Sequence, residues 1–110
     1  MNAGISRNRN IRWLLLVILY AERIAGATQS GGWLAEDLLR RLLSAEGYPV
    51  SLPEFRAYCD YLASVEIGCI ESGNTGTKLD PEQRYRLTAK GMRVATREEI
   101  APGVGVSGDE

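Results

Sequence analysis

The spacing of apolar residues changes once along this chain, and this change constrains the fold more than any other feature. Up to residue 65, apolar residues recur every three or four positions in three stretches, which predicts three helices. Over residues 67–72 apolar and polar side chains alternate, and they alternate again over residues 84–87, which predicts two short strands. Thr88 then precedes a short apolar stretch typical of a final helix. The order of these elements predicts an α+β fold.

The first three helices are predicted over residues 10–25, 33–46 and 51–65. The third has the clearest start, because Ser51 and Glu54 form an S-x-x-E capping box with Pro53 in the first turn. Gly47 lies where a helix end favours a left-handed residue, so it ends the second helix. Residues 73–83 are rich in turn-forming types and predict a loop between the strands. The inner stripe predicted for the second helix comprises Leu34, Ala35, Leu38, Leu39, Leu42 and Leu43.

The second and third helices, separated by residues 47–50, form a predicted helix-turn-helix pair, and the strand-loop-strand segment that follows is a predicted wing. Two short motifs carry a resemblance to winged-helix regulators. Residues 62–71 resemble the L-x-x-x-G-x-I exit from a recognition helix into the wing, and residues 87–91 resemble the L-T-x-x-G step into the closing helix. The resemblance implies a winged helix-turn-helix fold: three helices, then a two-stranded β-wing and a short C-terminal helix.

A narrower resemblance rests on three segments of the chain. Residues 48–51 (Tyr-Pro-Val-Ser), residues 58–71, and residues 87–95 followed by Pro-Gly-Val at 102–104 resemble a family of small winged-helix proteins of Mu-like phages and prophages. The likeness covers residues 10–104. It implies a phage gene product, a transcriptional regulator or accessory factor, that acts in the cytoplasm of a bacterial host. It supplies no catalytic residues.

Charge is distributed unevenly along the 110 residues, whose formal net charge is -1. Residues 98–110 hold four acidic and no basic residues, so the rest of the chain holds 13 basic and 10 acidic residues, a net charge of +3. Such a mildly basic body permits DNA binding without requiring it. We predict three parts: a flexible basic arm at residues 1–9, a winged-helix domain at residues 10–97 and a flexible acidic tail at residues 98–110.

The outward face of the third helix is a poor surface for reading bases. Specific reading requires Arg, Lys, Asn or Gln, but this face holds Pro53, Ala57, Asp60 and Ser64. Cations of the arm and the wing are better placed to follow phosphates, although each one alone is better explained as an ordinary solvated charge. The candidate contacts to double-stranded DNA are Arg7, Arg9 and Arg12 on the arm, Ser51, Arg56 and Tyr61 on the third helix, and Lys78, Arg84 and Arg86 on or beside the wing.

Two functions compete on this evidence. The first is a DNA-binding regulator or accessory factor, with a homodimer as a further expectation because winged-helix regulators are commonly dimeric. The second is a protein-protein interaction module for phage assembly or packaging, which the weak face of the third helix and the acidic tail favour. The sequence does not predict an enzyme, because it has no histidine, no glycine-rich phosphate loop and no nucleophile with a base at a recognisable spacing.

Cofactors and membranes are not expected. Cys59 and Cys69 lack the CxxC spacing of a zinc site, so we predict two buried, reduced thiols and neither a metal nor a cofactor. The apolar run at residues 13–21 is too short to span a bilayer, so we predict a buried core helix there and no membrane partner.

Overall fold

The computed structural model describes residues 3–25, 31–76, 79 and 81–105. Within these residues the chain has four helices and a three-stranded antiparallel sheet, so the predicted α+β class is confirmed. In chain order the elements are α1 (Ala3–Ala25), β1 (Leu34–Ala35), α2 (Glu36–Ala45), α3 (Leu52–Ala63), β2 (Ile70–Gly76), β3 (Pro81–Leu87) and α4 (Ala89–Ala95).

The three strands are arranged in the order β1-β3-β2. β2 and β3 form a hairpin in which Ile70 pairs with Leu87 and Gly76 with Pro81, while Leu34 of β1 pairs with Tyr85 on the other edge of β3. The predicted loop over residues 73–83 is therefore wrong for most of its length. Turn-forming residues continue the strand here because the ring of Trp33 covers Gly73, where an added Cβ would lie 3.1 Å from the indole.

The core lies between α1 and the inner face of the sheet. Four α1 side chains are at most 1% exposed, namely Ile11, Leu15, Leu16 and Leu19. The ring of Phe55 meets Tyr85 edge to face, with centroids 6.1 Å apart, and so joins α3 to β3. Burial of the predicted apolar run in α1 as a core helix is thus confirmed.

Two helix starts follow the sequence signals. The Ser51 hydroxyl accepts a hydrogen bond from the Glu54 backbone N–H, whereas the Glu54 carboxylate binds Arg7 and Tyr58. Thr88 caps α4 by accepting from the Gly91 N–H, and its hydroxyl donates to the carbonyl of Gly68. α4 packs so closely on the chain before β2 that a Cβ at Gly91 would lie 1.9 Å from the Cys69 carbonyl oxygen.

The stripe predicted for α2 is wrong in part. Leu39 and Leu43 are fully buried, but Leu38 and Leu42 are 40% and 37% exposed. Glu36 is buried instead, and its carboxylate binds a side chain of α3. At 100° per residue, the line through positions 36, 39 and 43 leaves position 42 at the margin of the core and position 38 on the outer side of the helix.

Both ends of the fold extend beyond the predicted domain. α1 begins at Ala3, so residues 3–9, which were predicted as part of an arm, are helical: no helix-breaking proline interrupts them, and Arg7 and Arg9 bind groups of the body. Residues 101–105, which we call the C-terminal segment, are also ordered, since Ala101 and Val104 are 0% and 6% exposed. This segment belongs to the tail predicted over residues 98–110, of which residues 106–110 lie outside the described residues.

Candidate nucleic-acid interface

The outward face of α3 carries the residue types that the sequence predicted. Pro53, Ala57 and Asp60 are exposed, and Arg56 is exposed on the same helix. Arg56 makes two 3.0 Å hydrogen bonds, from Nε and Nη2, to the two carboxylate oxygens of Glu36. The guanidinium predicted to contact DNA is therefore part of an ion pair that links α3 to the start of α2.

Glu36 is stabilised as a carboxylate by this pair. The hydrogen bonds from Arg56 lower its pKa, against the opposing effect of burial, and the Tyr85 hydroxyl adds a third hydrogen bond at 3.3 Å. Arg40 contributes a further positive charge nearby. Arg56 thus has a structural partner that sequence spacing did not reveal, because the two residues are 20 positions apart.

The other two α3 candidates are also engaged in the fold. Ser51 is the N-cap of α3, and its hydroxyl accepts from Glu54. The Tyr61 hydroxyl donates a hydrogen bond to the carbonyl of Pro102, and the Arg12 guanidinium lies 4.2 Å from the centroid of its ring. Tyr61 therefore lies against the C-terminal segment and is not an isolated surface side chain.

The three arginines of α1 that were predicted to contact DNA bind partners in the body of the protein. Arg7 forms a 2.9 Å ion pair with Glu54, which also accepts a 2.7 Å hydrogen bond from Tyr58. These two donors lower the pKa of Glu54, and burial raises the pKa of Tyr58. Arg9 Nε donates to the Gly105 carbonyl at 3.0 Å, and Arg12 Nη1 donates to the Gly103 carbonyl at 3.1 Å.

The hairpin presents its two arginines on one face of β3. Tyr85 and Leu87 point into the core, so Arg84 and Arg86 lie on the opposite, outer face. Arg84 pairs with Glu82 at 2.8 Å; Arg86 pairs with Glu71 at 3.0 Å and lies 4.5 Å from the centroid of the Trp33 ring.

Lys78, the third cation predicted at the wing, lies outside the described residues. The other candidates fall into three separate groups by their contacts. Arg84 and Arg86 form the hairpin pair; Arg7, Arg9, Arg12 and Tyr61 join α1, α3 and the C-terminal segment; Ser51 and Arg56 stabilise the start of α3 and its link to α2.

The ordered C-terminal segment also changes the charge of the folded part. Glu98 and Glu99 precede it, and Glu99 forms a 2.8 Å ion pair with Arg93 of α4. Residues 1–105 hold 13 basic and 12 acidic residues, so their net charge is +1, compared with +3 for residues 1–97. The field that attracts nucleic acid is therefore weak.

A groove beside α2 contains two arginines that were not among the predicted contacts. It has a volume of about 440 Å³ and is lined by Asp37, Arg40, Arg41, Ser44, Pro49 and Val50. Arg40 Nε donates to the Val50 carbonyl at 3.1 Å and thereby supports the turn between α2 and α3. The sequence could have indicated this groove, because the two arginines are adjacent on the polar side of the second helix.

Over the described ranges, the structure contains no group of three or more acidic or cysteine side chains that could hold a metal ion. Cys59 and Cys69 are buried free thiols, as predicted. None of the helices in this part of the chain has the length and apolar character needed to cross a membrane. Comparisons with protein-family models, curated proteins and solved structures give no match. The resemblances to winged-helix and phage proteins therefore stay predictions.

Proposed function

We propose that this chain is a winged helix-turn-helix protein that binds double-stranded DNA through its backbone phosphates. The order of elements supports this fold: α2 and α3 follow one another across a short turn, and the β2–β3 hairpin comes next. In winged-helix proteins this hairpin is the wing. The observation that carries the proposal is that Arg84 and Arg86 share the outer face of this hairpin.

Phosphate contact requires these arginines to exchange their present partners. Both pairs are partly exposed, and exposed ion pairs contribute only about 0–1 kcal/mol to stability. Phosphate oxygens can therefore take the place of the Glu82 and Glu71 carboxylates at little cost, and they form charge-assisted hydrogen bonds of the same kind. Because the folded part carries a net charge of only +1, we expect weak binding that depends strongly on salt.

Base reading by α3 is not part of the proposal. Within the described ranges, Arg56 is the cation beside the outward face, and its removal from Glu36 would leave a buried carboxylate with the Tyr85 hydroxyl as its remaining donor there. Such a group is costly to leave unpaired. We therefore propose binding that does not distinguish sequences. We also propose the role of a phage or prophage accessory factor in a bacterial cytoplasm, and this part of the proposal rests on the sequence resemblance alone.

A second candidate function is a protein-protein interaction module on the same scaffold. Two features favour it: Leu38 and Leu42 are partly exposed one turn apart on α2, and Asp60 lies on the exposed face of α3. A module of this kind would serve assembly or packaging without touching DNA. Gel filtration with light scattering would test whether this surface mediates a homodimer.

Fluorescence anisotropy with a labelled random duplex tests the DNA proposal. We expect binding at about 50 mM salt, and the slope of log K against log[salt] should shrink by about 1.8 in Arg84→Ala/Arg86→Ala, or about 0.9 for each lost contact. Arg93→Ala is a matched control, since it removes an arginine from a similar ion pair on α4. No binding by the wild type, or an unchanged slope in the double variant, would contradict the proposal and favour the interaction module.

A further inference from the structure

The C-terminal segment lies across a cationic surface formed by the first half of α1 and the end of α3. Its backbone makes three hydrogen bonds to α1: Gly105 N–H donates to the Arg9 carbonyl at 2.9 Å, while Arg9 and Arg12 donate to the carbonyls of Gly105 and Gly103. Tyr61 of α3 donates to Pro102. The segment therefore places a backbone carbonyl group against each of these two arginines.

Arg12 is incompletely satisfied in this arrangement. Its Nη1 reaches Gly103, but its Nε is buried and has no acceptor among the described residues. Its guanidinium lies between the rings of Tyr58 and Tyr61, at 5.8 and 4.2 Å from their centroids, and no described carboxylate neutralises it. A buried donor with no acceptor, on a cation with no counter-charge in the part of the chain that the structure describes, is the arrangement expected of an anion-binding group.

We propose that Arg9 and Arg12 form a second phosphate-binding surface for DNA, which the C-terminal segment covers. The Gly103 and Gly105 carbonyl oxygens occupy the positions that phosphate oxygens would take. A phosphate is the stronger partner for a guanidinium, because both groups are charged and the hydrogen bonds can be bidentate. The phenol of Tyr61, released from Pro102, provides a further donor beside Arg12. This inference rests on the proposed function.

The segment docks through two glycines with positive φ, and a side chain added at either one would meet the surface beneath. Gly103 has a φ of 73°, and a Cβ at this position would lie 2.6 Å from the Tyr61 hydroxyl and 3.1 Å from Arg12 Nη1. A β-branched residue here is strained by the positive φ and also collides with the surface beneath. Gly103→Val therefore displaces the segment in the full-length chain. Val104→Asp is an independent variant with the same effect, since it places a charge at a buried position.

Displacement can be followed without DNA, because Gly105 packs against Trp13, with a Cβ position 3.3 Å from the ring. In a Trp33→Phe background, Trp13 is the only tryptophan, and its emission should shift to longer wavelength in Gly103→Val. Gly47→Val is the matched control: it changes a glycine with a φ of 99° where no atom lies within 4 Å of the added Cβ. We expect no shift of Trp13 emission in this variant.

The deciding experiment is a salt titration of duplex binding with wild type, Gly103→Val and Gly103→Val/Arg9→Gln/Arg12→Gln. We expect the slope of log K against log[salt] to steepen by about 1.8 in Gly103→Val, from two added contacts, and to return to the wild-type value in the triple variant. An unchanged slope in both Gly103→Val and Val104→Asp, with Trp13 emission shifted, would overturn this inference alone. Binding by Gly103→Val but not by wild type would support it and contradict the hairpin proposal, and no binding by either protein would contradict both.

Discussion

Replacing Arg56 by methionine should destabilise the protein in a way that depends on pH. Among the described residues, Arg56 donates one hydrogen bond to each carboxylate oxygen of Glu36, and Tyr85 donates a further one to Oε2. Methionine preserves much of the aliphatic length of Arg56 but removes both guanidinium donors. The substitution therefore leaves a buried carboxylate with a single, long hydrogen bond.

The size of the effect follows from the burial of the two partners. Leaving a buried acceptor unsatisfied costs about 1–3 kcal/mol, and breaking a fully buried ion pair costs about 3–5 kcal/mol. The Glu36 side chain is 11% exposed but that of Arg56 is 56% exposed, so water can reach one side of the pair. We therefore expect a loss of about 2 kcal/mol in the free energy of unfolding at pH 7, within the range between a surface pair and a buried one.

The pH dependence gives the sharper test. Arg56 lowers the pKa of Glu36 in the folded state, so the pair stabilises the protein above the unfolded pKa of about 4.3 and loses this contribution as pH falls through the folded pKa. Urea unfolding of wild type and Arg56→Met should show the full difference at pH 7 and a smaller one near pH 3. Equal stabilities at pH 7, or the same difference at both pH values, would refute the reasoning.

Arg84→Met provides the control for this prediction. Arg84 also forms an ion pair with a glutamate, but both side chains are partly exposed. Its removal should change the free energy of unfolding by no more than about 0.5 kcal/mol. A loss as large as that of Arg56→Met would mean that the buried carboxylate is not the cause.

Two further predictions concern α4 and the thiols. Gly91→Ala should lower the free energy of unfolding by at least about 3 kcal/mol, because its Cβ would lie 1.9 Å from the Cys69 carbonyl oxygen. A melting temperature within about 2 °C of the wild type would contradict this close packing. Burial raises the pKa of Cys59 to about 12 and also raises the pKa of Cys69. Neither thiol should therefore react with Ellman's reagent at pH 8 in the folded protein, although both should react in guanidinium. A thiol that reacts fast in the folded state would contradict the packing.

Periodicity predicted the four helices and the hairpin because these elements bury one side against a common core. It could not predict β1, since a two-residue strand has no period and exists only because Leu34 pairs with Tyr85, far along the chain. The extent of the hairpin was missed for a similar reason. Gly73 reads as part of a loop by residue type, but the Trp33 ring covers it in the folded chain.

The sequence could not predict which residues form ion pairs with one another. Arg56 and Glu36 are 20 positions apart, and Arg7 and Glu54 are 47 apart, so no local spacing connects them. The C-terminal segment has no apolar period at all. It is ordered by backbone hydrogen bonds to Arg9 and Arg12 and by burial of Val104, which depend on the tertiary structure.

The most direct test of DNA binding through phosphates is a titration of the isotopically labelled protein with a short duplex, followed by ¹H–¹⁵N correlation spectra. We predict that the largest shift changes occur over β2 and β3, around Arg84 and Arg86, and that duplexes of different sequence give the same pattern. The outward face of α3, around Ala57 and Asp60, should change little. Shifts concentrated on α3 that differ between sequences, or no shifts at low salt, would contradict this prediction.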